Sequence, residues 1–315
     1  MATIHYYVDS SIGTDTGAGT TGDPYGRLSY AFSQNPTAAA TSITVFNVKG
    51  TTDVSPETSL GTMPTGSGIT AQTLIQPYAV TAGDTTDLLY LDASGSNLAW
   101  NNTALSFVIF NHCHFSNTAG GLFFDFDNNV QVYNSVFDAC GGGSDNVGGA
   151  YRTSFINQNG TTNSFRASSG GEIIDCYFET TGNGGATTCT FSELHNTLFF
   201  NSAGTGIMAQ GSSSSNVVSN CSFVYGSSIS AGFNNRGVQI DDQTICKNNY
   251  FHNCEVGVYG ASNMKSFTLS NNGFFDCDTN FAGETAGINM AGLERNDIAL
   301  GTTGLTDPDN GDFSN

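Results

Sequence analysis

A short pattern of polar and aromatic residues recurs along the latter two thirds of the chain. Each copy is an Asn or Asp, two intervening residues, and a Phe. The copies run from Asn134 to Phe137, Asp175 to Phe178, Asn196 to Phe199, Asn220 to Phe223, Asn248 to Phe251 and Asn271 to Phe274. Variants occur at Asn111 to Phe115, which has one extra residue, and at Phe155, which lacks the Asn. A period of about 22 residues with variable insertions is typical of a solenoid.

The local pattern around each Phe predicts strands. Apolar and polar residues alternate, as in the stretch from Val217 to Val224, and apolar stripes at helical spacing are missing. Gly, Asn, Ser and Thr separate these segments and suit tight turns with positive φ. Each repeat is therefore expected to hold about three short strands and three turns, which is one coil of a parallel β-helix.

Cysteine and asparagine positions support this register. Three cysteines stand two residues before the Phe and three stand three residues after it: Cys113, Cys176 and Cys221, then Cys140, Cys254 and Cys277. Small apolar side chains at fixed offsets suit stacked interior rows. The recurrent Asn predicts a ladder of side-chain amides that satisfies the backbone of the turns.

The eight cysteines also allow a disulfide set. The length of the chain and the lack of any Cys in its first 112 residues favour free thiols. Because the sequence has no C-x-x-C pair, a structural zinc site is not expected.

The beginning of the chain resembles the start of right-handed parallel β-helix proteins of the pectate-lyase-like superfamily. The resemblance rests on a strand, a Gly/Asp loop and a turn into a short helix: Tyr7-Val8-Asp9-Ser10, Gly13, Asp15, Gly17, Gly19-Thr20, Asp23-Pro24-Tyr25, Leu28 and Ala31. Arg27-Leu28 stands where Thr-Leu is usual in that group. The stretches from Asp297 to Leu300 and from Asp307 to Phe313 resemble its closing segment. The resemblance implies an all-β, single-stranded right-handed parallel β-helix with a short N-terminal capping helix, and the superfamily spans many activities.

The repeats predict one domain in three parts. Residues 1–40 would form the N-terminal strand, loop and capping helix, residues 41–300 the parallel β-helix, and residues 301–315 a C-terminal tail or cap. Strands are also expected at Ile43 to Val48, Thr73 to Val80 and Leu88 to Asp92. At one coil per repeat the β-helix would have about 11 or 12 coils.

Composition and charge narrow the possible partners. The chain has 8 Lys and Arg against 27 Asp and Glu, a formal charge of -19, so nucleic acid and anionic membranes are not expected partners. No stretch reaches the roughly 20 apolar residues of a membrane span. The first residues lack the features of a secretory signal, so folding in a host cytoplasm is expected. A lyase that cleaves uronic acid glycans by β-elimination needs basic side chains to take the α-proton and to neutralise the substrate carboxylate. The few Lys and Arg of this chain are scattered, which disfavours such an activity.

Paired carboxylates are the candidates for catalysis, since glycoside hydrolysis needs two of them facing one cleft. Glu172 and Glu193 are 21 residues apart, Asp241 and Asp242 are adjacent, and Asp125 and Asp127 share one strand face. The competing interpretation of each pair is solvated acids on an outer face. The Asn-Thr-Asp, Gly-His-Gly and Arg-Ile-Lys companions of polygalacturonase-like hydrolases are absent.

Two tyrosines and two histidines are candidate binding groups. Tyr177 and Tyr250 each precede a Phe, are expected to point outward, and are candidates for stacking on sugar rings. His112 and His114 flank Cys113 and offer two nitrogens, but an exposed pair without a third ligand is the favoured interpretation. No metal or cofactor is expected.

Two functional classes follow. The first is a bacteriophage virion protein on the particle surface, a decoration or spike-like β-helix, homotrimeric, contacting other capsid or tail proteins and binding cell-surface polysaccharide. The second is a polysaccharide-degrading enzyme of the pectate-lyase-like superfamily. A third interpretation is a secreted bacterial surface protein.

Overall fold

A computed structural model describes seventeen segments of the chain. They are residues 2–12, 15–35, 42–49, 65–78, 88–92, 107–116, 122–125, 129–139, 142–158, 165–180, 187–201, 207–211, 216–226, 235–240, 243–260, 267–283 and 298–299. The chain forms two compact units, Met1–Ser154 and Phe155–Asn315, and each is described separately. The division into residues 1–40, 41–300 and 301–315 stays a prediction.

The first unit is made of strands and one described helix. The elements are β1 (Ala2–Val8), α1 (Leu28–Gln34), β2 (Ser42–Lys49), β3 (Thr73–Tyr78), β4 (Leu89–Asp92), β5 (Val108–Asn111), β6 (Cys113–Ser116), β7 (Leu122–Asp125), β8 (Val130–Tyr133), β9 (Val136–Asp138) and β10 (Gly142–Tyr151).

These strands pair in parallel, one repeat above the next. One face joins β1, β2, β3, β5, β8 and the end of β10. A second face joins β4, β6 and β9, and β7 pairs with the start of β10. The strands expected near residues 43–48, 73–80 and 88–92 are confirmed as β2, β3 and β4.

The short helix predicted near the N-terminus is confirmed as α1. Leu28, Ala31 and Phe32 are buried at the i, i+3, i+4 spacing of one helix face. The ring of Phe32 lies edge-on to Phe46 of β2, with centroids 5.1 Å apart. The helix therefore covers the apolar side of the first strands.

The second unit continues with short strands. They are β11 (Ser154–Gln158), β12 (Phe165–Ile174), β13 (Tyr177–Thr180), β14 (Thr187–Phe191), β15 (Glu193–His195), β16 (Leu198–Asn201), β17 (Ile207–Gly211), β18 (Val217–Ser219), β19 (Ser222–Tyr225), β20 (Arg236–Ile240), β21 (Thr244–Lys247), β22 (Tyr250–His252), β23 (Val256–Gly260), β24 (Phe267–Ser270), β25 (Gly273–Phe275), β26 (Thr279–Gly283) and β27 (Ile298–Ala299).

Each repeat of this unit supplies one strand to each of three parallel faces. The first face runs from the end of β12 through β15, β18 and β21 to β24. The second runs from β13 through β16, β19, β22 and β25 to β27. The third runs from the start of β12 through β14, β17, β20 and β23 to β26. The all-β, parallel arrangement expected from the repeat is confirmed as a parallel β-helix-like fold.

The repeated phenylalanines form a continuous column in the core of the second unit. Successive rings from Phe155 to Phe274 stack with centroids 4.4 to 5.1 Å apart and interplanar angles of 4 to 9°. The first unit has the same stack between Phe115 and Phe137, at 4.6 Å. Because neighbouring strands lie about 4.8 Å apart, like rings nest at van der Waals distance.

The polar residue three positions before each Phe has a left-handed backbone conformation, at a turn. In the second unit these positions have φ between 50° and 56°, a conformation that Asn and Asp tolerate better than most residues. Asn196 Nδ2 donates to Asp175 Oδ1, and Asn248 Nδ2 to Asn220 Oδ1, both at 3.2 Å. Asn271 Nδ2 donates to Asn248 Oδ1, also at 3.2 Å. The predicted amide ladder is confirmed at these turns.

The next position along each turn is buried and satisfies the backbone of the neighbouring coil. The backbone N–H of Cys221 donates to Asn249 Oδ1 at 3.0 Å, and that of Cys176 to Thr197 Oγ1 at 3.3 Å. Among the described cysteines, none forms a disulfide, which agrees with the expected free thiols. Cys140 lies outside the described residues.

Removing one ring from the column should destabilise the fold. Phe199 is 1% exposed and stacks on both sides, so Phe199→Ala is expected to lower the free energy of unfolding by about 3–5 kcal/mol through lost burial and a cavity. Phe200→Ala removes the same group from a half-buried position and is the matched control, with a smaller loss. Urea denaturation followed by circular dichroism measures both, and equal losses would contradict the role of the column.

Thiol reactivity should follow burial and hydrogen bonding. A hydrogen bond donated by the Cys254 thiol lowers the pKa of the partly exposed Cys277. Burial instead raises the pKa of Cys221 to about 12. Iodoacetamide at pH 8 is expected to modify Cys277 well before Cys221, because only thiolate reacts. Peptide mapping by mass spectrometry reports the order, and Cys277→Ser should lose the fast phase. Faster modification of Cys221 would contradict the packing described.

Candidate functional site

The first face of the second unit, formed by β12, β15, β18, β21 and β24, presents two outward rows of side chains. Strand residues alternate in direction, and the middle residue of each strand is buried: Ile173, Leu194, Val218, Cys246 and Leu269. One outward row therefore holds Glu172, Glu193, Val217, Ile245 and Thr268. The other holds Ile174, His195, Ser219, Lys247 and Ser270. We call these two rows the β15 face.

Glu172 and Glu193 are register partners on adjacent strands of the β15 face. The sequence spacing of this pair predicted that one coil would separate them, and the register confirms it. Parallel neighbours lie about 4.8 Å apart, so the two side chains leave the sheet from adjacent positions. The side chain of Glu193 is 50% exposed, which leaves it open to a ligand.

An imidazole and a hydroxyl lie beside this pair. His195 Nε2 is 3.5 Å from Glu193 Oε2, and His195 Nδ1 is 2.7 Å from Ser219 Oγ. Lys247 follows Ser219 on the next strand and is exposed. The β15 face thus carries a line of carboxylate, imidazole, hydroxyl and ammonium groups.

Sequence reasoning missed His195, Ser219 and Lys247. Each stands four residues before the Phe of its repeat, so aligning the repeats on Phe places them in one row. Their side chains differ, so no recurring residue type marks the row. The shared offset was the available signal.

The two candidate tyrosines share one outward row on the second face. Tyr177 and Tyr250 are separated in this row by Leu198 and Ser222. The hydroxyl of Tyr177 donates to Glu179 Oε2 at 3.3 Å, and burial, together with the charge of Glu179, raises the pKa of Tyr177 to about 12. The phenol is therefore a neutral hydrogen-bonding group at physiological pH. Both residues are half-buried.

The remaining candidate carboxylates cannot be placed in the site. Asp241 and Asp242 lie outside the described residues, as does Asp127, and nothing is described of the Asp125 side chain.

The two candidate histidines, His112 and His114, have separate surroundings. His112 occupies a left-handed turn with Nδ1 2.9 Å from Asn111 Oδ1, and burial lowers its pKa, with the charge of Arg152 adding to the effect. His114 Nε2 is 3.7 Å from Asp138 Oδ2. Within the described residues, no three His, Cys, Asp or Glu side chains group as metal ligands would.

No described helix has the length and apolar character needed to cross a bilayer.

Comparison with known proteins gives similarity to solved structures alone. No family model and no curated protein matches the chain. A rhamnogalacturonan lyase is similar at 12% identity and a TM-score of 0.48, over 87% of this chain and 74% of that one. The GH136 lacto-N-biosidase from Eubacterium ramulus is similar at 10% identity and a TM-score of 0.49, over 89% of this chain and 67% of that one. Similarity at these levels carries no information about activity.

Proposed function

We propose that the chain is a glycan-directed hydrolase whose reaction uses Glu172 and Glu193. The observation that carries this proposal is their in-register pairing on the exposed β15 face. Carboxylates about 5 to 5.5 Å apart are typical of glycosidases that retain the anomeric configuration. Glu172 and Glu193 extend from register partners on strands about 4.8 Å apart, which is compatible with that class.

The surroundings of the two carboxylates suggest their roles. His195 Nε2 lies 3.5 Å from Glu193 Oε2, and in the tautomer with its proton on Nε2 the imidazole donates to that carboxylate. Glu193 is therefore assigned as the nucleophile. Glu172 then donates a proton to the leaving oxygen while Glu193 attacks the anomeric carbon. In the second step Glu172 takes a proton from water, which releases the sugar from Glu193.

The charge of the protein indicates the class of glycan. A net charge of -19 repels polyanions, and Lys247 is the cation that the described residues place on the β15 face. A uronic acid polymer would meet little positive charge there. The substrate class is therefore a neutral glycan.

Replacing either glutamate should abolish cleavage. Glu172→Gln and Glu193→Gln keep the volume of the side chain but remove the acid or the nucleophile, so release of reducing ends from a panel of neutral polysaccharides should fall at least 100-fold. Asp138→Asn makes the same carboxylate-to-amide change in the first unit and is the control. Cleavage that persists in both glutamine variants would rule out this assignment.

A phage virion role with glycan binding alone is the second candidate. It is favoured by the exposed turns at Asp175, Asn196, Asn220, Asn248 and Asn271, which form a polar and chemically inert edge. In this role the protein lies on the virion surface, folds in the host cytoplasm, contacts capsid or tail proteins and needs no cofactor. Tyr177 and Tyr250 would then contact cell-surface polysaccharide without cleaving it.

This second role includes a homotrimer, because a surface protein of this kind gains stability and avidity from symmetric association. The expected mass in light scattering at micromolar concentration is three times the 32.9 kDa of one chain. A mass of one chain across the micromolar range would refute the trimer.

A further inference from the structure

We infer that Ser219, His195 and Glu193 form a nucleophile, base and orienting acid for hydrolysis of an acyl ester. The observation is a continuous contact from hydroxyl to imidazole to carboxylate across β18 and β15, with distances of 2.7 and 3.5 Å. Such sets are recognised by geometry and roles and not by sequence order. This inference does not rest on the pairing of Glu172 with Glu193.

One tautomer of His195 satisfies both contacts. With its proton on Nε2, the imidazole donates to Glu193 Oε2 and its Nδ1 lone pair accepts the hydroxyl of Ser219. In this state Nδ1 is the base that a serine nucleophile needs. Glu193 orients the ring and stabilises the imidazolium that forms when the proton is transferred.

The register brings a cation to the other side of the serine. Ser219 pairs with His195 on one neighbouring strand and with Lys247 on the other. An ammonium group at this position stabilises the negative oxygen that develops on an ester carbonyl. The base and the charge-stabilising group thus flank the nucleophile within one row.

Ser219 is 4% exposed, whereas the side chain of its register partner His195 is 25% exposed and its other partner Lys247 is an exposed residue. The proposed reaction therefore requires a neighbouring side chain to move aside, and the four rotatable bonds of a lysine side chain allow such a movement. The site suits an ester of a short carboxylic acid, such as an acetyl group on a sugar hydroxyl.

The reaction is balanced by water alone. Ser219 Oγ bonds to the carbonyl carbon while its proton passes to His195 Nδ1. The ester C–O bond then breaks, and this proton goes to the leaving alkoxide. Water attacks the acyl-serine with His195 as base, which releases the carboxylic acid and restores Ser219.

A fluorophosphonate probe tests the inference because it phosphonylates only activated serines. The wild-type chain is expected to carry an adduct on Ser219, located by peptide mass spectrometry, and to hydrolyse p-nitrophenyl acetate. Ser219→Ala should lose both, and His195→Gln should slow both at least 100-fold. Ser270→Ala removes a serine two strands along the same row and is the matched control.

An unlabelled Ser219 in the folded wild type, or labelling at the same rate in His195→Gln, would overturn the inference. Circular dichroism confirms that each variant is folded. The readout is a modified serine and not a released sugar, so this result is independent of the one from the glycan assay.

Discussion

The structure depends on the in-register stacking of parallel strands at the hydrogen-bonding distance. The peptide groups of a strand bond alternately to the strands of the preceding and the following repeat, so a residue lies directly above its equivalent about 4.8 Å away. A side chain must therefore nest on a copy of itself or on a compatible partner. The column from Phe155 to Phe274, with rings within 9° of parallel, is the apolar form of this requirement.

The same constraint acts on polar groups at the turns. The side-chain amides at the left-handed turns bond to one another from coil to coil, as Asn248 Nδ2 does to Asn220 Oδ1. The backbone N–H groups of the same two residues donate to the carbonyl oxygens of Ser270 and Lys247. The buried position that follows accepts a backbone N–H of its neighbour, and Asn249 does this for Cys221. Cysteine, threonine and asparagine all occur at this position because each is small and can take part in the row.

Side chains in the outward rows are in register like those of the core, but they need not pack against a like side chain. Residues of different chemistry can therefore become neighbours in these rows. Glu172 and Glu193 are distant in sequence and become neighbours because their strands pair. His195 and Ser219 meet for the same reason. A stacked fold thus places residues from separate repeats within reach of one substrate, on a rigid sheet that fixes their spacing.

The amino-acid sequence by itself determined the repeat, the parallel all-β class, the short N-terminal helix, the buried phenylalanines and thiols and the turn ladder. These features follow from residue types that recur at a fixed offset, which stacking makes necessary. The contact of His195 with Ser219 was decided only by the tertiary structure, because the outward rows carry different residues in each repeat and no recurrence marks them. The spacing of 21 residues made Glu172 and Glu193 candidates for adjacent coils, and the strand register established their pairing. Because insertions vary the step between repeats, only the register shows that Tyr177 and Tyr250 stand three strands apart in one row.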